Sequence, residues 1–326
     1  MNKLVLIGNG FDRFHGLKTL YCHFIQYLVE ESINYNDSIR QELFDVSYLN
    51  SEHQTYKTIR QLFSRLALEG KSNIRFSNQL IREIMLKEFD ANWVDIEQIY
   101  YRELCNFKRS SYNQYSVNEL NRDFTIIKSY LEKYLTLQVV HNNIKLNEDL
   151  LSIMCDGNPE EIVFLNFNYT STPEIYFSAI ENIIPKKQLI YIHGQLNSID
   201  NPIIFGYGDE TDEQYSKLLS FDGHSYLDNL KRQLYKLSDA YDNLKDFLRK
   251  GDFEVLSLGH SLGKSDKTLL REIFTESNCK KILLSYHKDR ESFRRLTNNL
   301  SKIIPQKDLD NKVVNFPSSI PFPKQN

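Results

Sequence analysis

The chain has 326 residues, of which 41% are hydrophobic and 25% charged, and its formal net charge at pH 7 is −3. This length and composition are typical of a globular protein with one large domain, or with one domain that carries a sizeable insertion. The charge excludes a global basic field for nucleic acid, and the four widely spaced cysteines argue against a zinc ribbon or a disulfide framework.

The sequence predicts a cytoplasmic protein that has reduced cysteines and does not associate with a membrane. Its apolar runs are far shorter than the roughly 18 residues that a membrane span needs. Residues Met1 to Leu4 lead directly into an apolar segment, without the pattern of a signal peptide.

The first predicted element is a strand, "KLVLI" at 3–7, which suits a parallel sheet buried on both faces. From about residue 19 to 150 glycine and proline become rare, and apolar residues recur at helical spacing, as Leu120, Phe124, Ile127 and Leu131 do. This pattern predicts a mainly helical region of four to six helices.

Short apolar runs then return and alternate with helical stretches. The predicted strands are "EIVFLNF" (161–167), "QLIYIHG" (188–194), "PIIFGYG" (202–208), "FEVLSLGHS" (253–261) and "KKILLSY" (280–286). Helices are predicted at about 173–183, 212–250, 265–277 and 288–302. Alternation of this kind predicts an α/β fold with a parallel sheet.

We expect a core formed by residues 1–18 and 151–315, a large helical insertion at 19–150 after the first strand, and a proline-rich tail at 316–326 that is extended or disordered. Ligands of open parallel sheets bind at the carboxyl ends of the strands. The polar residues that follow each strand are therefore the first to consider.

The first predicted strand ends in Gly8, Asn9, Gly10, Phe11 and Asp12. Two glycines separated by one residue allow the backbone to turn sharply and to approach a ligand closely. The next residue is an arginine where a dinucleotide fingerprint would need glycine. An alternative is a structural turn that holds no ligand.

Two further strand ends carry polar groups. Asn166 and Asn168 flank a phenylalanine, so alternation would place both amides on one face. Capping explains the nearby Thr172 but not this pair. His193 closes the next strand before a glycine, and the choice between a structural and a catalytic histidine stays open there.

The fourth loop, "LGHSLGKSD", contains Gly259 and Ser261 and leads to Asp266 at the start of a helix. It could wrap phosphates or ribose hydroxyls, or be an ordinary turn capped by Ser265. Acidic pairs at Asp95/Glu97 and Asp209/Glu210 allow two interpretations as well. Acids at a helix start are favourable in themselves, and we rank that interpretation of Asp95 and Glu97 first.

The ordered set of motifs resembles the sirtuin-like (SIR2) NAD-binding fold. Gly8 and Gly10 match its first loop, and His15 begins the "HGLKT" segment that resembles the stretch after that loop. Asn168 and His193 match the catalytic Asn and His. Asn9, Asp12 and Thr170 depart from the pattern, which has Ala, Ser and Asp there, and the zinc-binding cysteines are missing.

The sequence also resembles the AbiH family of bacteriophage abortive-infection proteins. That resemblance rests on "LVLIGNGFDRFHGLKTLYCHF", "NWVDIE", "FLNFNYTST" and "YIHG", which together span nearly the whole chain. It implies antiphage defence in a bacterium. The expected fold is a Rossmann-like, sirtuin-like parallel sheet with the helical insertion.

Together the two resemblances imply an effector that binds NAD and cleaves nicotinamide from ribose. Asn168 and His193 would be catalytic, and NAD would be held without a metal by Gly8, Asn9, Gly10, Phe11, Asp12, His15, Gly259, Ser261 and Asp266. The alternative is an inactive sensor of NAD, ADP-ribose or another nucleotide. Expected partners are a homo-oligomer or a protein of a defence system, and a phage trigger that the sequence does not name.

Overall fold

The computed structural model describes residues 1–34, 36–46, 74–87, 93–107, 116–139, 144–207, 213–221 and 223–323. The strands are β1 (Asn2–Ile7), β2 (Phe44–Asp45), β3 (Arg75–Phe76), β4 (Glu161–Asn166), β5 (Lys186–Tyr191), β6 (Phe253–Leu258) and β7 (Cys279–Leu284). Within these ranges, β2 and β3 form a two-stranded antiparallel sheet.

The helices before β4 are α1 (Asn9–Phe14), α2 (Tyr21–Ile33), α3 (Asp37–Glu42), α4 (Gln79–Lys87), α5 (Trp93–Asn106), α6 (Val117–Tyr134) and α7 (Glu148–Cys155). Those after β4 are α8 (Glu174–Ala179), α9 (Glu213–Leu219), α10 (Lys231–Leu234), α11 (Ala240–Lys250), α12 (Lys267–Thr275), α13 (Arg290–Leu300) and α14 (Gln306–Lys312). A π-helical turn, Leu135–Val139, extends α6.

The main sheet of the described residues is parallel, with the strand order β5-β4-β1-β6-β7. The chain builds the sheet outward from β1 to β4 and β5, and then returns to the other side of β1 to add β6 and β7. This is the order of a Rossmann-like α/β fold, and it confirms the predicted parallel sheet. The topological switch point lies between β1 and β6.

The alternation of β1 explains why the sheet is buried on both faces. Leu4 and Leu6 pack on one face with apolar residues of α11 and α12, whereas Val5 and Ile7 pack on the other with residues of α7 and α8. Every one of these β1 side chains is fully buried.

Helices α2 to α6 share a second core, which contains stacked aromatic rings. Phe124 stacks on Tyr100 at a centroid distance of 4.0 Å and on Phe205 at 4.9 Å. Phe205, Tyr207 and Leu230 come from the segment after β5 yet belong to this core. The division of the chain at residues 19 and 150 therefore stays a prediction.

The predicted strand at 202–208 is wrong over residues 202–207, and residue 208 lies outside the described residues. Tyr207 makes only an isolated bridge with Leu230. The backbone N–H of Ile204 donates to His193 O at 2.6 Å, and that of Gly206 donates to Glu97 Oε1 at 3.0 Å. These partners lie outside the sheet, so no ladder forms.

One other expectation needs correction. The helix predicted at about 212–250 is a series of short helices over the described residues, of which α11 is the longest. In the proline-rich tail, Phe322 is buried against the sheet face that also holds Val5, and its N–H donates to Tyr286 O at 2.8 Å beyond β7. No helix of the described residues is long and apolar enough to cross a membrane.

At the switch point, the loop after β1 contacts the loop after β6 through the backbone. Gly8 N–H donates to Leu258 O at 3.0 Å, and Gly10 N–H donates to Gly259 O at 2.8 Å. Gly259 has a φ of +68°, and a Cβ there would lie 2.3 Å from Phe11 N. A side chain at Gly259 would therefore separate the two loops.

We expect Gly259→Ala to lower the free energy of unfolding by at least about 2 kcal/mol, since strain and overlap act together. Gly157 has a φ of +76° but open space around it, so Gly157→Ala should cost only about 1 kcal/mol. Gly251, in extended backbone, is the neutral control. Chemical denaturation measures all three, and equal losses for Gly259→Ala and Gly157→Ala would contradict the close contact.

Candidate functional site

A cavity of about 850 Å³ opens at the carboxyl edge of the main sheet, beside the switch point. This size and place are typical of a small-molecule site in an open α/β sheet. Its walls include nine of the residues predicted from the sequence: Gly8, Asn9, Gly10, Asp12, Asn168, His193, Gly259, Ser261 and Asp266. These nine residues therefore lie close together, as their positions after the strands predicted.

Phe11 and His15 do not line this cavity. Phe11 is fully buried in the core, with its ring against that of Tyr176. His15 Nε2 lies 3.1 Å from the Tyr176 hydroxyl oxygen, and burial lowers the pKa of His15 to about 4. Their contacts hold α1 against the sheet.

Asn166 and Asn168 shape the loop after β4. Asn166 Oδ1 accepts from the N–H of Asn168 at 3.0 Å, and its Nδ2 donates to Thr170 O at 3.0 Å. Asn168 lies at the cavity wall, and its Nδ2 donates to Gly8 O at 3.1 Å. Of the two amides, only that of Asn168 reaches the cavity.

The capping explanations considered for the loops after β4 and β6 are wrong. Thr172 donates to the hydroxyl of Thr170 at 3.1 Å and makes no cap to α8. Ser265 donates to Asp266 Oδ2 at 3.2 Å and does not cap α12. Both hydroxyls are instead bound to side chains of the cavity wall.

Asp12 is a buried carboxyl group with one partnered and one unpartnered oxygen. The Thr170 hydroxyl donates to Oδ2 at 2.6 Å. Oδ1 is buried and has no hydrogen-bond partner in the described structure. Burial raises the pKa of Asp12 to about 6, although the hydrogen bond from Thr170 opposes the shift.

His193 is held at both ring nitrogens. Its Nδ1 lies 3.1 Å from Phe167 O and donates to it, because a carbonyl oxygen can only accept. Its Nε2 lies 3.1 Å from Asp266 Oδ1, close enough for an ion pair but without hydrogen-bond geometry. Burial, reinforced by the charge of Lys231, lowers the pKa of His193, which favours the neutral ring.

A buried cluster of charges lies behind His193. Lys231 Nζ donates to Asp266 Oδ1 at 2.9 Å and to Glu97 Oε2 at 3.2 Å. Burial alone would raise the pKa of Asp266, but Lys231 holds it well below its usual range. Burial raises the pKa of Glu97 to about 7 despite Lys231. The cluster joins α5 of the helical region to the edge of the sheet.

Sequence reasoning missed Lys231, because nothing in "NLKRQL" distinguishes it from a surface lysine. It ranked Glu97 as a helix-start acid, but the side chain is buried against Lys231. One signal was available: Glu97 shares a helix face with Tyr100, Tyr101 and Leu104, which are aromatic or apolar. The side chain of Asp95, and both Asp209 and Glu210, lie outside the described residues.

Basic side chains line the same cavity nearer to solvent. Arg13, Lys288 and Arg295 are exposed and belong to its wall. Ser285, just beyond β7, adds a buried hydroxyl that has no partner in the described structure. Across the residues described, no group of three or more His, Cys, Asp and Glu is arranged to hold a metal ion.

These features define the protein as a Rossmann-like α/β protein with a polar cavity at its switch point. Residues 4–287 match the family model described as "Bacteriophage abortive infection AbiH", and the chain therefore belongs to that family. No curated protein matches the sequence significantly.

The raised pKa of Asp12 gives a testable dependence of stability on pH. A carboxyl with a pKa of 3.8 when unfolded and about 6 when folded stabilises the native state at low pH, and this contribution is lost as pH rises through about 6. Asp12→Asn should therefore be more stable than the wild type at pH 8 by up to about 3 kcal/mol, and equal to it near pH 4. The control is Asp200→Asn, at an exposed position. If the difference in free energy of unfolding between Asp12→Asn and the wild type were the same at every pH, this would contradict the raised pKa of Asp12.

Removal of Lys231 should be strongly destabilising, because Asp266 and Glu97 would stay buried without their cation. We expect Lys231→Met to lower the free energy of unfolding by about 3–5 kcal/mol. The control is Lys250→Met, which removes a solvent-exposed pair with Glu161 and should cost less than about 1 kcal/mol. If urea denaturation gave similar losses of the free energy of unfolding for the two variants, the burial of the cluster around Lys231 would be contradicted.

Proposed function

We propose that this AbiH-family protein is an effector of antiphage abortive infection that binds NAD⁺ and hydrolyses it to nicotinamide and ADP-ribose. The observation that carries the proposal is the cavity at the switch point, with Asn168 and His193 both on its wall. In Rossmann-like proteins this is the crevice where dinucleotides bind.

The distribution of charge in the cavity supports a dinucleotide. Asp12 and Asp266 are buried, whereas Arg13, Lys288 and Arg295 are exposed. The basic side chains suit the pyrophosphate, and the buried polar end suits the ribose and the cationic nicotinamide ring. Arginine is well matched to phosphate because its guanidinium offers several donors in a fixed plane.

Cleavage of NAD⁺ requires little acid catalysis, because nicotinamide leaves from a cationic ring as a neutral molecule. The reaction needs stabilisation of an oxocarbenium-like transition state and a well-placed water. Asn168 would orient the ribose through its amide. His193, with Nδ1 held by Phe167 O and Nε2 beside Asp266, would present its ring to the ribose. No step calls for a metal.

An NAD hydrolase must be restrained until infection. The helical region suits this role, since Glu97 of α5 contacts Lys231 beside the cavity. A homo-oligomer, a partner protein of the defence system or a phage trigger would act through this contact.

The second proposal is a nucleotide sensor without catalysis. It is favoured by Thr170, which stands where the sirtuin-like pattern has an aspartate and whose hydroxyl is engaged by Asp12. A sensor would bind NAD or ADP-ribose in the same cavity and pass the signal to a partner.

Incubation of the purified protein with NAD⁺ tests the proposal, with nicotinamide release as the readout. Asn168→Ala and His193→Ala should each reduce turnover by at least about a hundredfold, because each removes a positioned polar group. The matched controls are Asn298→Ala and His224→Ala, both exposed and outside the cavity wall.

In cells, the Asn168→Ala and His193→Ala variants should lose phage protection, while the controls keep it. Saturable NAD binding without turnover, together with protection that leaves cellular NAD constant, would favour the sensor. Full turnover by both cavity variants would place the active site elsewhere.

A further inference from the structure

The unpartnered oxygen of Asp12 calls for an explanation. Buried polar atoms nearly always find a hydrogen-bond partner, and each exception calls for a cause such as a catalytic role or a bound water. Asp12 is 2% exposed and belongs to the cavity wall, yet its Oδ1 has no partner in the described structure. A ligand or a bound water in the cavity would supply the missing partner.

The opposite oxygen of Asp12 is firmly held. Thr172 donates to the Thr170 hydroxyl at 3.1 Å, and Thr170 donates in turn to Asp12 Oδ2 at 2.6 Å. This series of hydrogen bonds fixes the positions of the two hydroxyl protons. It leaves Oδ1 as the oxygen that can receive a proton. The carboxyl also lies beside Asn168, which hydrogen-bonds to Gly8 across the same loops.

His193 is less well placed to take a proton from a water molecule in the cavity. Its Nε2 is buried against Asp266 Oδ1, at 3.1 Å, and its Nδ1 is engaged by Phe167 O. His193 therefore has no ring nitrogen open to take a proton from water, and the cavity offers a second group, Asp12, for that step.

We propose that Asp12 is the general base that activates the water in NAD⁺ cleavage; this rests on the proposed function. The bond between C1′ of the ribose and the nicotinamide nitrogen breaks, and its electron pair stays with nicotinamide. The water oxygen bonds to C1′, and Asp12 Oδ1 takes the water proton. Asp12 then releases this proton to solvent, so that the products are ADP-ribose, nicotinamide and one proton.

The pH dependence of turnover follows from the surroundings of Asp12. The neutral groups that face it are Asn168, Thr170 and Thr172, and the titratable group that feels its charge is Tyr191 of β5. The Tyr191 hydroxyl donates to Glu174 at 2.7 Å, and burial holds the pKa of Tyr191 well above its usual range. Because a base must be ionised, turnover should fall as pH drops below about 6.

The test compares Asp12→Asn with the wild type in two assays. Asparagine keeps an oxygen to accept from Thr170 but cannot take a proton. We expect calorimetric binding of ADP-ribose to change by less than about threefold, and nicotinamide release to fall by at least about a hundredfold. Asp200→Asn, exposed and outside the cavity wall, should behave as the wild type.

Thr170→Val provides a second test that leaves the carboxyl in place. Loss of the hydrogen bond to ionised Asp12 should raise the pKa of this carboxyl, so the acidic limb of the turnover profile should move to higher pH with ADP-ribose affinity nearly unchanged. An unmoved limb would overturn the role of Asp12 even if Asp12→Asn does not fold.

The outcomes separate the inference from the function on which it rests. Wild-type turnover by Asp12→Asn overturns the base role alone, and so does a loss of ADP-ribose binding that matches the loss of turnover. A wild type that binds ADP-ribose but releases no nicotinamide overturns the hydrolase and the base together.

Discussion

The cavity lies where the strand order reverses, and there the loops after β1 and β6 are in direct backbone contact. Gly10 donates to Gly259 O at 2.8 Å, and a Cβ at Gly8 would lie 2.5 Å from His260 Cα. The glycines of the opening motif therefore serve first to bring β1 and β6 together. Since the N–H groups of Gly8 and Gly10 are bound to the neighbouring loop, phosphates would need other donors, such as the basic side chains of the cavity wall.

The buried charges around Lys231 connect this loop contact to the helical region. Lys231 bonds both Asp266, which faces His193, and Glu97 of α5. Buried ion clusters contribute little net stability, because desolvation offsets most of the attraction between the charges. The same cluster holds Asp266 beside His193 and links α5 to the cavity wall.

The sequence predicted the sheet well because its strands are short apolar runs with polar residues at their carboxyl ends. The run at 202–208 had the same appearance, but the N–H groups of Ile204 and Gly206 donate to His193 and Glu97 and not to a neighbouring strand. The strand-end rule brought Asp12, Asn168 and Asp266 to one cavity. It could not find Lys231, since that lysine reaches the site from a short helix without any local pattern. Contacts between segments far apart in the sequence, such as that of Thr170 with Asp12, produce no periodic pattern from which they could be predicted either.

A crystal structure of the protein soaked with ADP-ribose is the most direct test that the switch-point cavity is a nucleotide site. The account predicts the ligand inside this cavity, with a ribose within hydrogen-bond distance of Asn168 and the pyrophosphate near Arg13, Lys288 or Arg295. An empty cavity at saturating ADP-ribose, or a ligand bound elsewhere on the chain, would contradict it.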